Sequence, residues 1–268
     1  MKDKVVIITG ATSGIGRALA FAFGEQGSKI FITGRNQDAL DQTVSELEKK
    51  QIIVRGCLAD AGIQSDNQRM VEEAVNAFGR IDVLICNAGI SMRALFEDLG
   101  LETFRKVMDI NFYGAVYAVK YALPLILESK GSIVGISSIN GRRATPARSA
   151  YSASKYAMEG FLESLRTEVM KRGVHVLSVC PGFTASNIRN KALNAHGTSQ
   201  QESPRDEQKM MTSEEVAART YKAVLARKRD LILTTQGKIA VLLNKIFPSL
   251  MDNMVWKVMK NEPDSPVK

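Results

Sequence analysis

Tyr151 and Lys155 stand four residues apart in a stretch with helical spacing, so both project from one face. A phenol with a pKa of about 10 exchanges its proton poorly near neutral pH, and a neighbouring ammonium is expected to lower that value by favouring the phenolate. The pair therefore reads as a proton donor in reduction and acceptor in oxidation, Tyr151, tuned by Lys155. Ser138 lies thirteen residues before Tyr151, just past an apolar run that reads as a strand ending at the carboxyl edge of a sheet. Its hydroxyl can donate to a substrate carbonyl and stabilise the charge that develops there. Ser137 is the rival for that role, and capping a following turn is the alternative role for Ser138. Asn111 falls inside a helical pattern that its own propensity disfavours, so it needs a local reason; a kinked helix with backbone satisfied by a side chain is one.

A second chemical feature lies near the N-terminus, where Thr9-Gly10-Ala11-Thr12-Ser13-Gly14-Ile15-Gly16 follows a β-branched run and opens a helix. Gly10 allows a tight turn, Gly14 lets the backbone approach a pyrophosphate, and Gly16 lets helix and strand pack, with the helix N-terminus facing the phosphates. The G-x-x-x-G-x-G spacing departs from G-x-G-x-x-G, and a glycine turn without ligand is the bland alternative. At the end of the second strand pattern, Thr33-Gly34-Arg35-Asn36 offers no carboxylate for a ribose 2′-hydroxyl. Arg35 can instead hold a 2′-phosphate, assisted by Ser13 or Asn36, so NADP is the expected cofactor. A solvated Arg35 and an indifferent site is the alternative.

The elements that must position these groups alternate. Apolar runs at Val5 to Thr9, Lys29 to Thr33, Ile53 to Leu58, Val83 to Cys86, Ser132 to Ile136 and Val174 to Val179 read as buried strands. Helical spacing fills Gly16 to Gln26, Asp38 to Lys50, Asn67 to Phe78, Glu102 to Ser129 and Ser152 to Lys171. This rhythm predicts an α/β fold, a doubly wound parallel sheet of the Rossmann type. Residues 184 to 211 are polar and read as a substrate loop, Thr212 to Glu215 has capping-box spacing for a helix to about Ala226, and Leu231 to Thr234 reads as a last strand. The catalytic unit spans 1–237, and 238–268 reads as a helical extension of the same single domain. There Ile239, Leu242, Leu243 and Ile246 form one stripe, and Met251, Met254, Val255, Val258 and Met259 resume it after Pro248. Four lysines and Trp256 punctuate this tail, so it is expected either to cover the pocket or a neighbouring subunit, or to touch a membrane peripherally.

The 268 residues are 45% hydrophobic and 24% charged, which excludes disordered, collagen-like and disulfide-scaffold chains. The net charge of +8 divides equally between residues 1–190 and 191–268, so the excess per residue is higher in the tail, but without a basic run or aromatic-interleaved stripe nucleic acid is not an expected partner. Cys57, Cys86 and Cys180 are widely spaced within apolar runs and only two histidines are present, so buried reduced thiols and no metal site are expected. The apolar stretch Ala115 to Leu127 is broken by Lys120 and Pro124, and the N-terminal run is short for a signal core; the expected location is cytoplasmic.

Taken in order, these motifs resemble the short-chain dehydrogenase/reductase family. Its T-G-x-x-x-G-x-G matches Thr9 to Gly16, its aspartate after the third strand Asp60, its N-A-G Asn87-Ala88-Gly89, and its asparagine Asn111. Its serine matches Ser138, its Y-x-x-x-K Tyr151 to Lys155, and its P-G Pro181-Gly182. The resemblance runs from residue 9 to 182 and says little beyond. It implies that Asn111, Ser138, Tyr151 and Lys155 are catalytic, with Asn111 anchoring a water that passes protons to Lys155, and Lys155 holding the nicotinamide ribose. Thr12, Ile15 and Thr184 join Asp60, Asn87, Ala88, Gly89, Pro181 and Gly182 among the implied cofactor contacts. The implied activity is NADP(H)-dependent hydride transfer, in the direction of reducing a lipophilic ketone, by a homodimer or homotetramer. Two rivals stand beside it. One is a 3-oxoacyl-carrier-protein reductase, with Arg142, Arg143, Arg148, Lys171 and Arg172 receiving an acidic carrier; the other is an idle NADPH-binding sensor.

Overall fold

The β-branched runs become strands because they can bury both faces at once. In this computed structural model, which describes residues 1–200 and 210–268, they are β1 (Val5–Ile8), β2 (Lys29–Gly34), β3 (Val54–Leu58), β4 (Val83–Cys86), β5 (Ser132–Ile136), β6 (His175–Cys180) and β7 (Asp230–Ile232). Residues 201–209, part of the expected substrate loop, lie outside the described residues. The strands pair in parallel in the order β3-β2-β1-β4-β5-β6-β7. Order reverses between β1 and β4, where Val6 sits level with Ile30 on one side and Val83 on the other. Ligands of open α/β sheets bind at the carboxyl ends of the strands beside such a reversal.

Helices cover both faces. α1 (Gly14–Gly24), α2 (Gln37–Lys49) and a later helix, α7 (Ser213–Leu225), lie on one side, where Val6, Ile8, Leu19 and Phe23 join one core cluster. α3 (Gln64–Phe78), α5 (Gly114–Ser129) and α6 (Ser149–Val169) lie on the other, over Ile7, Leu84 and Ile133. Successive residues of β1 thus serve opposite cores, as the two-residue period requires. The Thr212 capping box is formed: its hydroxyl accepts from Glu215 N at 3.1 Å, and the Glu215 carboxylate accepts from Thr212 N at 2.9 Å.

Three boundaries differ from the sequence reading. The last strand is Asp230–Ile232, short and at the sheet edge. The helix expected from Ser152 starts at Ser149, which places Tyr151 in its first turn. The expected continuous helix from Glu102 to Ser129 is α4 (Leu101–Met108), a π-helical turn at Asp109–Tyr113, and α5. Together that run is long and apolar enough to cross a membrane, but Ala115, Ala118, Val119, Ala122 and Ile126 are buried in the core beneath the sheet. The tail forms α8 (Thr235–Ile246) and α9 (Pro248–Lys260), with Pro248 at the first position of α9, where a missing N–H is tolerated.

Candidate active site

Two glycines of the first turn, Gly10 (φ +63°) and Gly14 (φ +51°), occupy the left-handed region that disfavours side chains. Gly16 is required by a closer approach than helix packing. A Cβ there would collide with the Asn87 side-chain nitrogen and the Gly10 carbonyl. Asn87 donates to the carbonyls of Thr9 and Gly10, each at 2.9 Å, while Thr9 Oγ1 accepts from the N–H groups of Asn87 and Ala88. The Asn87 side chain therefore braces the glycine turn.

The residues around this turn fit a nicotinamide dinucleotide. Ser13 caps α1 by position without spending its hydroxyl on the helix, and no acidic residue occupies the first turn, so the positive end of the helix is available to an anion. Arg35 stands half exposed at the end of β2, 3.8 Å from Asp60. Asn36 uses its side-chain oxygen to cap α2 through Ala39 N at 2.8 Å, which leaves its amide group as the part that can assist Arg35. Asp60 also accepts from Gly62 N at 2.9 Å.

At the carboxyl ends of β4 and β5 the proton-handling groups converge. The Ser138 and Tyr151 side chains lie together here, the serine hydroxyl favouring the phenolate. Ser138 accepts from Asn140 N at 3.1 Å and so caps the short 3-10 turn Ile139–Gly141, the alternative role expected of it. Ser137, the rival, is buried toward Gly141, where its hydroxyl lies 2.7 Å from the place of an added Cβ and has no partner among the described residues. Lys155 Nζ donates to the Ile136 carbonyl at 2.8 Å and lies 5.8 Å from the centre of the Tyr151 ring. Burial lowers its pKa to about 8, partly opposed by the Glu159 carboxylate one turn further on.

The Tyr151 phenol departs from expectation. Its pKa is raised, because burial disfavours the phenolate and outweighs the opposing effect of the Ser138 hydroxyl. Helical proximity brought Lys155 near, but the ammonium is held by the Ile136 carbonyl and is itself poorly solvated. In the cofactor-free protein the phenol is a firmly protonated donor.

Asn111 sits in the π-helical turn and is almost wholly buried. Its oxygen accepts from Ile90 N at 2.8 Å, and its nitrogen donates to the Ile90 carbonyl and to Ser154 Oγ, both at 2.9 Å. The helix is thus interrupted, as an asparagine there suggested, but the side chain satisfies the loop after N-A-G and not its own helix. Gly89 is small for the same cluster: its Cβ would lie 3.2 Å from Asn111 Oδ1 and 3.6 Å from Lys155 Nζ.

Sequence reasoning missed Ser154 and Glu159. Ser154 donates to the Tyr151 carbonyl at 2.8 Å and so ties Asn111 to the catalytic helix. Glu159 is buried, accepts from Ser178 Oγ at 2.7 Å, and pairs with Arg142 at 2.6 Å. Their signal was their spacing, three after Tyr151 and four after Lys155. Gly182 is pressed by Thr234, whose Oγ1 would meet a Cβ at 2.9 Å, and buried Thr184 donates to the Gly182 carbonyl at 3.2 Å, so the P-G segment roots the tail against the site. Cys57, Cys86 and Cys180 are free and buried, their thiols pushed up to about 12 by burial.

Residues 4–196 match the family model described as short chain dehydrogenase. The chain belongs to this family. Among relatives of this short-chain dehydrogenase, the mouse (Mus musculus) dehydrogenase/reductase SDR family member 7B is 37% identical over 99% of the chain and 84% of that protein. An uncharacterized oxidoreductase, YxnA, of Bacillus subtilis is 31% identical over 97% of the chain and 73% of its own length. A crystal structure of a short-chain dehydrogenase/reductase from Burkholderia phymatum, in complex with NAD, superposes with a TM-score of 0.83 at 24% identity, covering 94% of this chain and 96% of that one. The chain is therefore an oxidoreductase of this family with the Rossmann-type fold the motifs implied.

Proposed function

We propose that this short-chain dehydrogenase is an NADPH-dependent reductase of lipophilic ketones. The observation that carries the proton chemistry is the convergence of Ser138, Tyr151 and Lys155 at the carboxyl edge of the sheet, with Lys155 5.8 Å from the centre of the Tyr151 ring and Asn111 behind, joined to the same helix through Ser154. When bound, the nicotinamide cofactor supplies the hydride. Tyr151 delivers the proton to the carbonyl oxygen, and Ser138 donates to that oxygen as charge develops on it. Lys155 keeps a cation beside the phenol, and Asn111 holds the loop after N-A-G in register with α6.

Arg35 supports NADP. The NAD in the Burkholderia complex belongs to that protein, and here the end of β2 carries a cation where a ribose hydroxyl would want a carboxylate. The Arg35–Asp60 pair is exposed and worth at most about 1 kcal/mol, so it competes weakly with a phosphate. Arg35→Ala should weaken NADPH binding by about 1.5–3 kcal/mol and leave NADH nearly unchanged, measured by fluorescence titration. Equal losses for both cofactors would overturn the assignment.

The substrate class rests on the wall beside Tyr151. Met92, Leu99, Val107 and Leu193 form a buried apolar cluster against which the partly exposed Tyr151 and Ile90 pack, and this apolar backing of the phenol favours a hydrophobic ketone. The carrier-protein reading is less favoured, since two of its five cations are already paired, Arg142 with Glu159 and Asp230 and Arg143 with Asp252. Lys171 lies about 30 Å along the helix from Tyr151.

A further inference from the structure

Packing explains only half of the tail. Met259 and Val267 are buried against Ala147, with Leu95 and Val255 beside them, and the buried Arg93 donates to the Pro263 carbonyl at 2.6 Å. That anchors α9 and the terminus to the loop after N-A-G. The outer face is left bare. Ile239, Leu242 and Ile246, at helical spacing on α8, are each more than half exposed. Leu250, Met254 and Val258 continue on α9, and Phe247 at the bend joins the two sets. These seven exposed apolar side chains within residues 239–258 mark an interaction site.

We propose that this face lies in the interfacial region of an anionic lipid bilayer. Charge selects that occupant over another protein surface. Residues 235–260 carry four lysines against one acid, and Asp252 is already paired with Arg143. Lys238, Lys245, Lys257 and Lys260 are all exposed, none has an ion pair among the described residues, and Lys245 and Lys257 adjoin the apolar stripe on their helices. Trp256, with Lys260 4.7 Å from its ring centre, supplies the aromatic and cation found together at headgroup depth. Two helices bent at a proline, apolar outward and flanked by lysine, suit a chain that lies on a membrane without crossing it. The tail is rooted where Gly237 abuts Ile139, next to Ser138, so the bilayer would face the substrate end of the site. The docking proposal does not depend on which ketone is reduced.

Trp256 is the only tryptophan, so its emission reports the event directly. The full chain is mixed with phosphatidylcholine vesicles containing about 30 mol% phosphatidylglycerol at low salt. Flotation with the vesicles and a blue shift of Trp256 emission are expected, both diminished with pure phosphatidylcholine or at about 0.5 M salt. Each Lys→Gln change at 238, 245, 257 or 260 should weaken partitioning about fivefold. Leu242→Asn with Leu250→Asn, both surface changes, should remove flotation while NADPH binding, read separately, persists. Absence of flotation by the parent protein, or flotation unaffected by the leucine changes, overturns the proposal. So does a dimer in light scattering that those leucine changes dissociate, which would give the face to a second copy of the chain.

Discussion

Lys155 is buried, held to the Ile136 carbonyl at 2.8 Å, and has its pKa lowered to about 8. The unfolded chain keeps the ordinary lysine value of about 10.4, so between these limits the unfolded state binds more protons and stability rises with pH. Below about 8 both states are protonated and the full cost of the buried cation persists. Lys155→Met should therefore stabilise the cofactor-free protein at pH 7, by on the order of 1–3 kcal/mol, and the gain should vanish near pH 10.5. Thermal unfolding at the two pH values checks this; a destabilised variant at pH 7 would contradict it. The same proton matters for turnover, which should decline in the reductive direction as pH rises past about 8. These directions were not legible in Tyr151 and Lys155 as letters. Spacing reports who is near, whereas the sign of the Tyr151 shift is set by burial, which belongs to the tertiary structure.

The element that most constrains the site is the π-helical turn carrying Asn111. Its side chain makes three hydrogen bonds in a buried setting, two of them to the backbone of Ile90. Asn111→Leu should cost about 2–4 kcal/mol by leaving those groups unpaired, lowering the midpoint of chemical denaturation, while Asn111→Asp should cost less because the bond from Ile90 N survives. Equal midpoints for parent and leucine variant would contradict the bracing role. The alternation of strand and helix was readable because buried parallel strands and amphipathic helices leave different periods. The π turn was not, since one added residue barely disturbs an apolar pattern that is broad on both sides. Ser138 and Ser137 were equally placed at a strand end. The turn that follows separates them, keeping one hydroxyl as its cap beside Tyr151 and burying the other near Gly141. In the tail, periodicity located the stripe without saying whether anything covers it.

For the whole molecule, the outward side of α6 carries exposed Tyr156 and Gly160, and exposed Tyr113 precedes α5. Gly160 is mid-helix, and a Cβ there would meet nothing within 4 Å. A solvent-facing helical glycine costs about 1 kcal/mol relative to alanine, a cost that close approach of a second backbone would offset. We therefore expect a symmetric dimer through α5 and α6, twice the 29.4 kDa chain by light scattering, that Gly160→Leu dissociates. A parent protein at 29.4 kDa would contradict this. The central claim, that Tyr151 delivers the proton in an NADPH-dependent reduction, is tested most directly by NADPH absorbance over a panel of hydrophobic ketones, comparing the parent with Tyr151→Phe. The account predicts turnover by the parent, a loss of about three orders of magnitude or more in the variant, and an NADPH dissociation constant that hardly moves. Turnover by the variant within about tenfold of the parent would contradict it.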